Sequence, residues 1–116
     1  MGHTTTLIAD HKGFSRPRVH GDEYVVDAHI DIAAYTTNGE VINASELSLA
    51  TITAVMITGV ENGLTRAAVI EVDSAGVYAS SSSFQIFVTD LDGTNAQAAG
   101  DEDVGMIRVR AYGQIA

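Results

Sequence analysis

The stretch Tyr24-Val25-Val26-Asp27-Ala28-His29-Ile30-Asp31-Ile32 decides the fold class. Val26, Ala28, Ile30 and Ile32 share one parity, while Val25, Asp27, His29 and Asp31 share the other, which is the period of a half-buried strand. Downstream, Thr36-Thr37-Asn38-Gly39 supplies a turn, because Asn and Gly tolerate the left-handed backbone that tight turns need. Asn43-Ala44-Ser45-Glu46-Leu47 can start a helix capped by Asn43 or Ser45, but the β-branched run that follows limits it to one or two turns.

Residues 51–59 and 65–72 are β-rich and flank Glu61-Asn62-Gly63, so a hairpin of antiparallel neighbours is expected there. Asp73-Ser74-Ala75-Gly76 is a second turn signal, followed by a short strand at residues 77–80 and a serine-rich loop at 80–83. Phe84, Ile86 and Val88 alternate with Gln85, Phe87 and Thr89; apolar residues on both faces predict a central strand. After the long polar gap at 90–103, Ile107, Val109 and Ala111 oppose Met106, Arg108, Arg110 and Tyr112 in a last strand. Six or seven short strands with almost no helical period predict an all-β protein, an antiparallel β-sandwich or a barrel-like, jelly-roll-like domain.

A chain of 116 residues suits one domain, which buries roughly 65% of its unfolded surface. With no cysteine and no tryptophan, the core is expected to be Val, Ile, Leu and Ala held by packing alone. No run approaches the ~18 apolar residues of a membrane helix. The net charge of −9, with only six Lys and Arg, argues against nucleic acid and anionic membranes as partners. Residues 1–23 sum to zero, so the whole excess lies on 24–116. Residues 10–23 follow neither period, and the expected division is an extended N-terminal arm over 1–23 and a sandwich over 24–116. Residues 4–9, β-branched and apolar, are expected to form a strand that pairs with a partner.

Candidate chemistry is sparse. The serines lack a Gly-x-Ser-x-Gly elbow, and no catalytic residue is assigned. His29 stands between Asp27 and Asp31 at strand spacing of about 7 Å, but no second His follows at ligand distance, so a solvated polar face is expected, with no metal or other cofactor. Asp90-Leu91-Asp92-Gly93-Thr94-Asn95 has oxygen ligands around a glycine but neither the order nor the bidentate Glu of an EF-hand, and reads as an acidic loop. The arm carries the expected partner-binding residues: Leu7, Ile8 and Phe14 as apolar anchors, and Arg16 and Arg18, held extended by Pro17, as guanidinium forks. Arg108 and Arg110, on one face of the last strand, are expected to pair either with acids across the sheet or with a neighbouring subunit, and with Tyr112 they are a candidate subunit interface.

Two segments carry a family resemblance. Tyr35-Thr36-Thr37-Asn38-Gly39-Glu40-Val41-Ile42-Asn43-Ala44-Ser45-Glu46-Leu47-Ser48-Leu49 resembles a stretch running Tyr-Thr-Thr-Gly-Gly-Glu, Leu, an Ala-initiated turn and Leu-Gly-Leu in small structural proteins of tailed bacteriophages. Ile107-Arg108-Val109-Arg110-Ala111-Tyr112-Gly113 resembles the same proteins' closing strand. Asn38 and Ser48 stand where that stretch carries glycine. The resemblance covers about a fifth of the chain and implies a non-enzymatic head decoration (cement) protein. Such a protein is made in the host cytoplasm, sits on the outer capsid surface of the virion, clasps the major capsid protein and self-associates as a trimer or dimer. The other reading kept is a carbohydrate- or receptor-binding sandwich on a virion, with Tyr24, Tyr35, Tyr78 and Tyr112 as the available stacking surfaces.

Overall fold

A computed structural model describes residues 2–10, 12–71, 82–91 and 96–115. The expected turn at 73–76, the short strand at 77–80 and the acidic loop core at 92–95 lie outside the described residues. The chain runs β1 (Gly2–Leu7), β2 (Arg18–His20), β3 (Glu23–Ala34), β4 (Glu40–Asn43), a 3-10 turn (Ala44–Leu47), β5 (Thr51–Val60), β6 (Arg66–Glu71), β7 (Ser83–Asp90) and β8 (Gly105–Gln114). The strands form two open antiparallel sheets, one ordered β1-β3-β8-β5 with β2 also on β3, the other β4-β7-β6. The protein is all-β, and open sheets make it a sandwich rather than a closed barrel.

The alternation of β3 is expressed as written: Val26, Ala28, Ile30 and Ile32 enter the core beside Ile107, Val109 and Ala111 of β8. Ile42, Phe84, Ile86 and Val88 come from the second sheet to meet them, and β7 is the central strand there. Tyr35 is fully buried, its hydroxyl donating to Gln97 Oε1 (2.9 Å) and accepting from the Val88 amide (3.2 Å). A buried phenol needs such partners.

Two expectations are corrected. Residues 51–59 and 65–72 are not a hairpin: β5 pairs with β8 in one sheet and β6 with β7 in the other. Neither Asn62 nor Gly63 takes the positive φ of a type I′ turn. Instead the amides of Thr65 and Arg66 both reach the Asn62 carbonyl at 2.9 Å, and the chain crosses between layers. Nor does the N-terminal strand reach for a partner, since Gly2–Leu7 is β1 of the main sheet, antiparallel to β3. Its inward residues His3, Thr5 and Leu7 match Ile32, Ile30 and Ala28, so internal pairing covers an edge that would otherwise be bare.

Glycine-like geometry recurs where the turns are tightest. Asn38 has φ 74° and Ser48 has φ 58°, both left-handed, the second closing the 3-10 turn. In β8 a Cβ built on Gly113 would lie 1.9 Å from the Thr51 carbonyl oxygen, so glycine alone permits β5 to approach. Gly113→Ala should therefore destabilise the fold by about 3 kcal/mol in urea unfolding, the upper end of overpacking costs. Ser48→Gly should gain up to about 1 kcal/mol by relieving left-handed strain.

Candidate functional site

The registers arrange the solvent face of the larger sheet in rows. Arg18 of β2 and Tyr112 of β8 flank Val25, Arg110 stands opposite Asp27, and Thr6 and Arg108 flank His29. β1 and β2 lie end to end along one edge of β3, for the Ile8 amide bonds the Asp27 carbonyl (2.9 Å) and Arg18 pairs next to Val25. The described residues between Ile8 and Arg18 therefore leave that edge and rejoin it as a loop. Asp10 organises the loop, its carboxylate accepting the Lys12 and Phe14 amides at 2.8 and 3.0 Å.

Asp27 is the pivot. Although on the outward parity, it is only 5% exposed. Arg110 donates to it bidentately, Nε to Oδ1 at 2.9 Å and Nη2 to Oδ2 at 3.0 Å, and Arg18 Nη2 adds a contact at 3.5 Å. The Arg110 hydrogen bonds hold the Asp27 carboxyl below its usual range against the opposing effect of burial, and the carboxylate raises Arg110 in turn. The solvated polar face expected of Asp27, His29 and Asp31 thus holds for exposed Asp31, while Asp27 is a buried, doubly paired charge. Among the described residues no group of three or more His, Asp or Glu converges as a metal site.

The expected site residues divide. Leu7 packs against the core and half-buried Ile8 is tied to β3, so both serve the fold. Phe14 is 47% exposed, with the Arg16 guanidinium 4.4 Å from its ring centroid, a cation–π stack at the loop tip. Arg18 and Arg110 share Asp27, whereas Arg108 projects beside His29 into a shallow groove completed by Gly59, Val60, Glu61 and Met106. Tyr112 meets the His20 ring edge-on at 5.6 Å. Of the tyrosines proposed for sugar stacking, Tyr35 is wholly buried and Tyr78 lies outside the described residues.

A second cluster was not foreseen. His3 donates through Nδ1 to Glu40 Oε2 (2.5 Å) and through Nε2 to Glu46 Oε1 (2.7 Å), which also accepts from Thr5 Oγ1 (2.8 Å). Glu46 further accepts the Asn43 amide at the start of the 3-10 turn. Two N–H donors require an imidazolium. Burial opposes that charge, but the two carboxylates outweigh it and raise His3 above its usual 6.5. Burial likewise opposes charge on Glu40 and Glu46, yet their donors hold both below the usual 4.5. The cluster latches β1 to the second sheet.

No protein-family model matches the chain, and no curated protein or solved structure matches it.

Removing Arg110 leaves the buried Asp27 carboxylate with only the longer Arg18 contact, so Arg110→Ala should cost about 3 kcal/mol in urea unfolding. Arg18→Ala should cost about 1 kcal/mol, because its guanidinium is partly hydrated. The latch has a pH window. The raised His3 contributes stability that is complete below 6.5 and is lost as pH rises through its folded value. The lowered glutamates contribute above 4.5 and lose it as pH falls through theirs. Hydrogen-exchange protection of the β1 amides should peak between these limits, and His3→Gln should remove the alkaline decline.

Proposed function

We propose that this chain is a non-enzymatic decoration protein of a tailed-phage head, binding the major capsid protein on the outer surface and reinforcing contacts between neighbouring subunits. The observation that carries the reading is local geometry in the segments that resemble such proteins. Asn38 and Ser48, the two positions where the phage stretch has glycine, both take positive φ. Gly113, which closes the resembling last strand, stands where no side chain fits. A stretch that needs glycine-like backbone at the same places supports a shared local structure, beyond a chance run of letters.

In this reading the sandwich is a rigid body and the 9–17 loop its gripping part, with Phe14 and Arg16 presented at the tip. Self-association as a trimer or dimer on a local symmetry axis repeats that contact, so modest single-site affinity becomes firm attachment. The strongly acidic remainder faces solvent and keeps decorated particles apart.

Full-length protein should pellet with undecorated heads in a sedimentation assay, and Phe14→Ala with Arg16→Ala should weaken that binding about tenfold while leaving the unfolding transition unchanged. Deleting residues 1–20 is a poor test, because it also removes β1 and β2 from the main sheet. Failure of the intact chain to pellet would sink the reading.

A further inference from the structure

Acidic residues outnumber Lys and Arg by 15 to 6, so an intrachain partner ought to be within reach of every cation. Three of the six nonetheless have none among the described residues. Arg66 is consumed by Glu102 (2.5 Å) and Asp90 (3.6 Å), and Arg18 and Arg110 are consumed by Asp27. Lys12, Arg16 and Arg108 form no ion pair among the described residues. Arg108 lies on the outward parity of β8, while Lys12 and Arg16 line one recess with Arg18, whose guanidinium reaches Asp27 on that same outward parity.

That surface differs electrically from the rest of the protein. The solvent face of the larger sheet with its 9–17 loop, β2–β3 turn and Arg108 groove holds five cations and six acids, Asp10, Asp22, Glu23, Asp27, Asp31 and Glu61. These nearly cancel, to −1, which leaves −8 of the −9 on the remainder. We infer that this nearly neutral, cation-bearing face docks an acidic protein surface, its carboxylates pairing with Lys12, Arg16 and Arg108 and an apolar recess receiving Phe14. The inference deepens the attachment reading and rests on it for the partner's identity; what it adds is the partner's chemistry and the face that meets it.

The geometry favours a protein over a polyanion. A duplex presents one negative charge per ~1.7 Å and rewards a continuous basic track, whereas here acids interrupt the cations and the whole body is negative. Phe14, half exposed beneath the Arg16 guanidinium, is an aromatic anchor of the kind that dominates protein interfaces. The platform is also preorganised: Arg110 locks Asp27, Arg18 joins it, and the loop is closed on itself by the Asp10 amide bonding the Phe14 carbonyl (3.0 Å). Little ordering entropy is then lost on docking.

The test uses the full chain with labelled poly-L-glutamate, a duplex DNA of matched charge and undecorated heads. Lys12→Glu, Arg16→Glu and Arg108→Glu, singly and together, are compared with Glu71→Lys, an exposed position on the other sheet. Each reversal should weaken salt-sensitive poly-L-glutamate binding by about threefold or more, and the triple variant by well over tenfold, with unfolding transitions unchanged. The control reversal should not weaken it. Binding that survives the triple reversal, or duplex DNA bound more tightly than poly-L-glutamate, would overturn the inference. Heads that fail to bind any form, while poly-L-glutamate still depends on the three cations, would remove the capsid and keep the acidic-partner face. Heads bound equally by the triple variant would remove the face and keep the capsid.

Discussion

Strand β3 has two backbone edges to satisfy and two faces with opposite needs, and the arrangement of the chain follows from meeting both. One edge is taken by β8 over residues 24–32; the other is shared by β1 and β2, placed end to end. Its inner face supplies the apolar floor of the core, while its outer face carries Asp27, a charge that burial would make costly if left alone. Arg110 from one neighbouring strand and Arg18 from the other neutralise it. The clamp thus reaches both sides of β3 and fixes the point at which the 9–17 loop returns to the sheet.

Much of this was legible in the residues. The parity of β3 and β8, the two-faced character of β7 and the left-handed turn at Asn38 all follow from local pattern, and the structure realises each of them. What misled was pairing. Asn62-Gly63 has the composition of a tight hairpin, yet Asn62 serves β8 instead, its side chain reaching the Val104 carbonyl while Glu61 binds the Met106 amide. Turn chemistry specifies a change of direction, and tertiary contacts decide whether the chain stays in its sheet. Asp27 misled for a related reason, since alternation places it outward without revealing that two arginines cover it.

The His3 latch has its signal in the parity of β1. His3 and Thr5 share the parity of Leu7, so polar side chains point inward at one end of the sandwich and need carboxylates opposite them. Glu40 and Glu46 stand in the segment that resembles phage proteins, where local pattern shows Glu46 only within a short helix start. In the fold it also receives Thr5 and His3 from a strand some forty residues earlier. One carboxylate serves both as a local cap and as a tie between layers.

The path of residues 9–17 also bears on how the protein tolerates change. Because the chain leaves and re-enters the same edge of β3, the hydrogen bonding of the sheet is independent of how long the excursion is. Closure entropy rises by only about 0.6 kcal/mol for each doubling of loop length. The fold therefore accommodates inserted length in this excursion, whether acquired in evolution or grafted as a displayed epitope, provided the insert leaves Phe14 and Arg16 presented and Arg18 in place against Asp27.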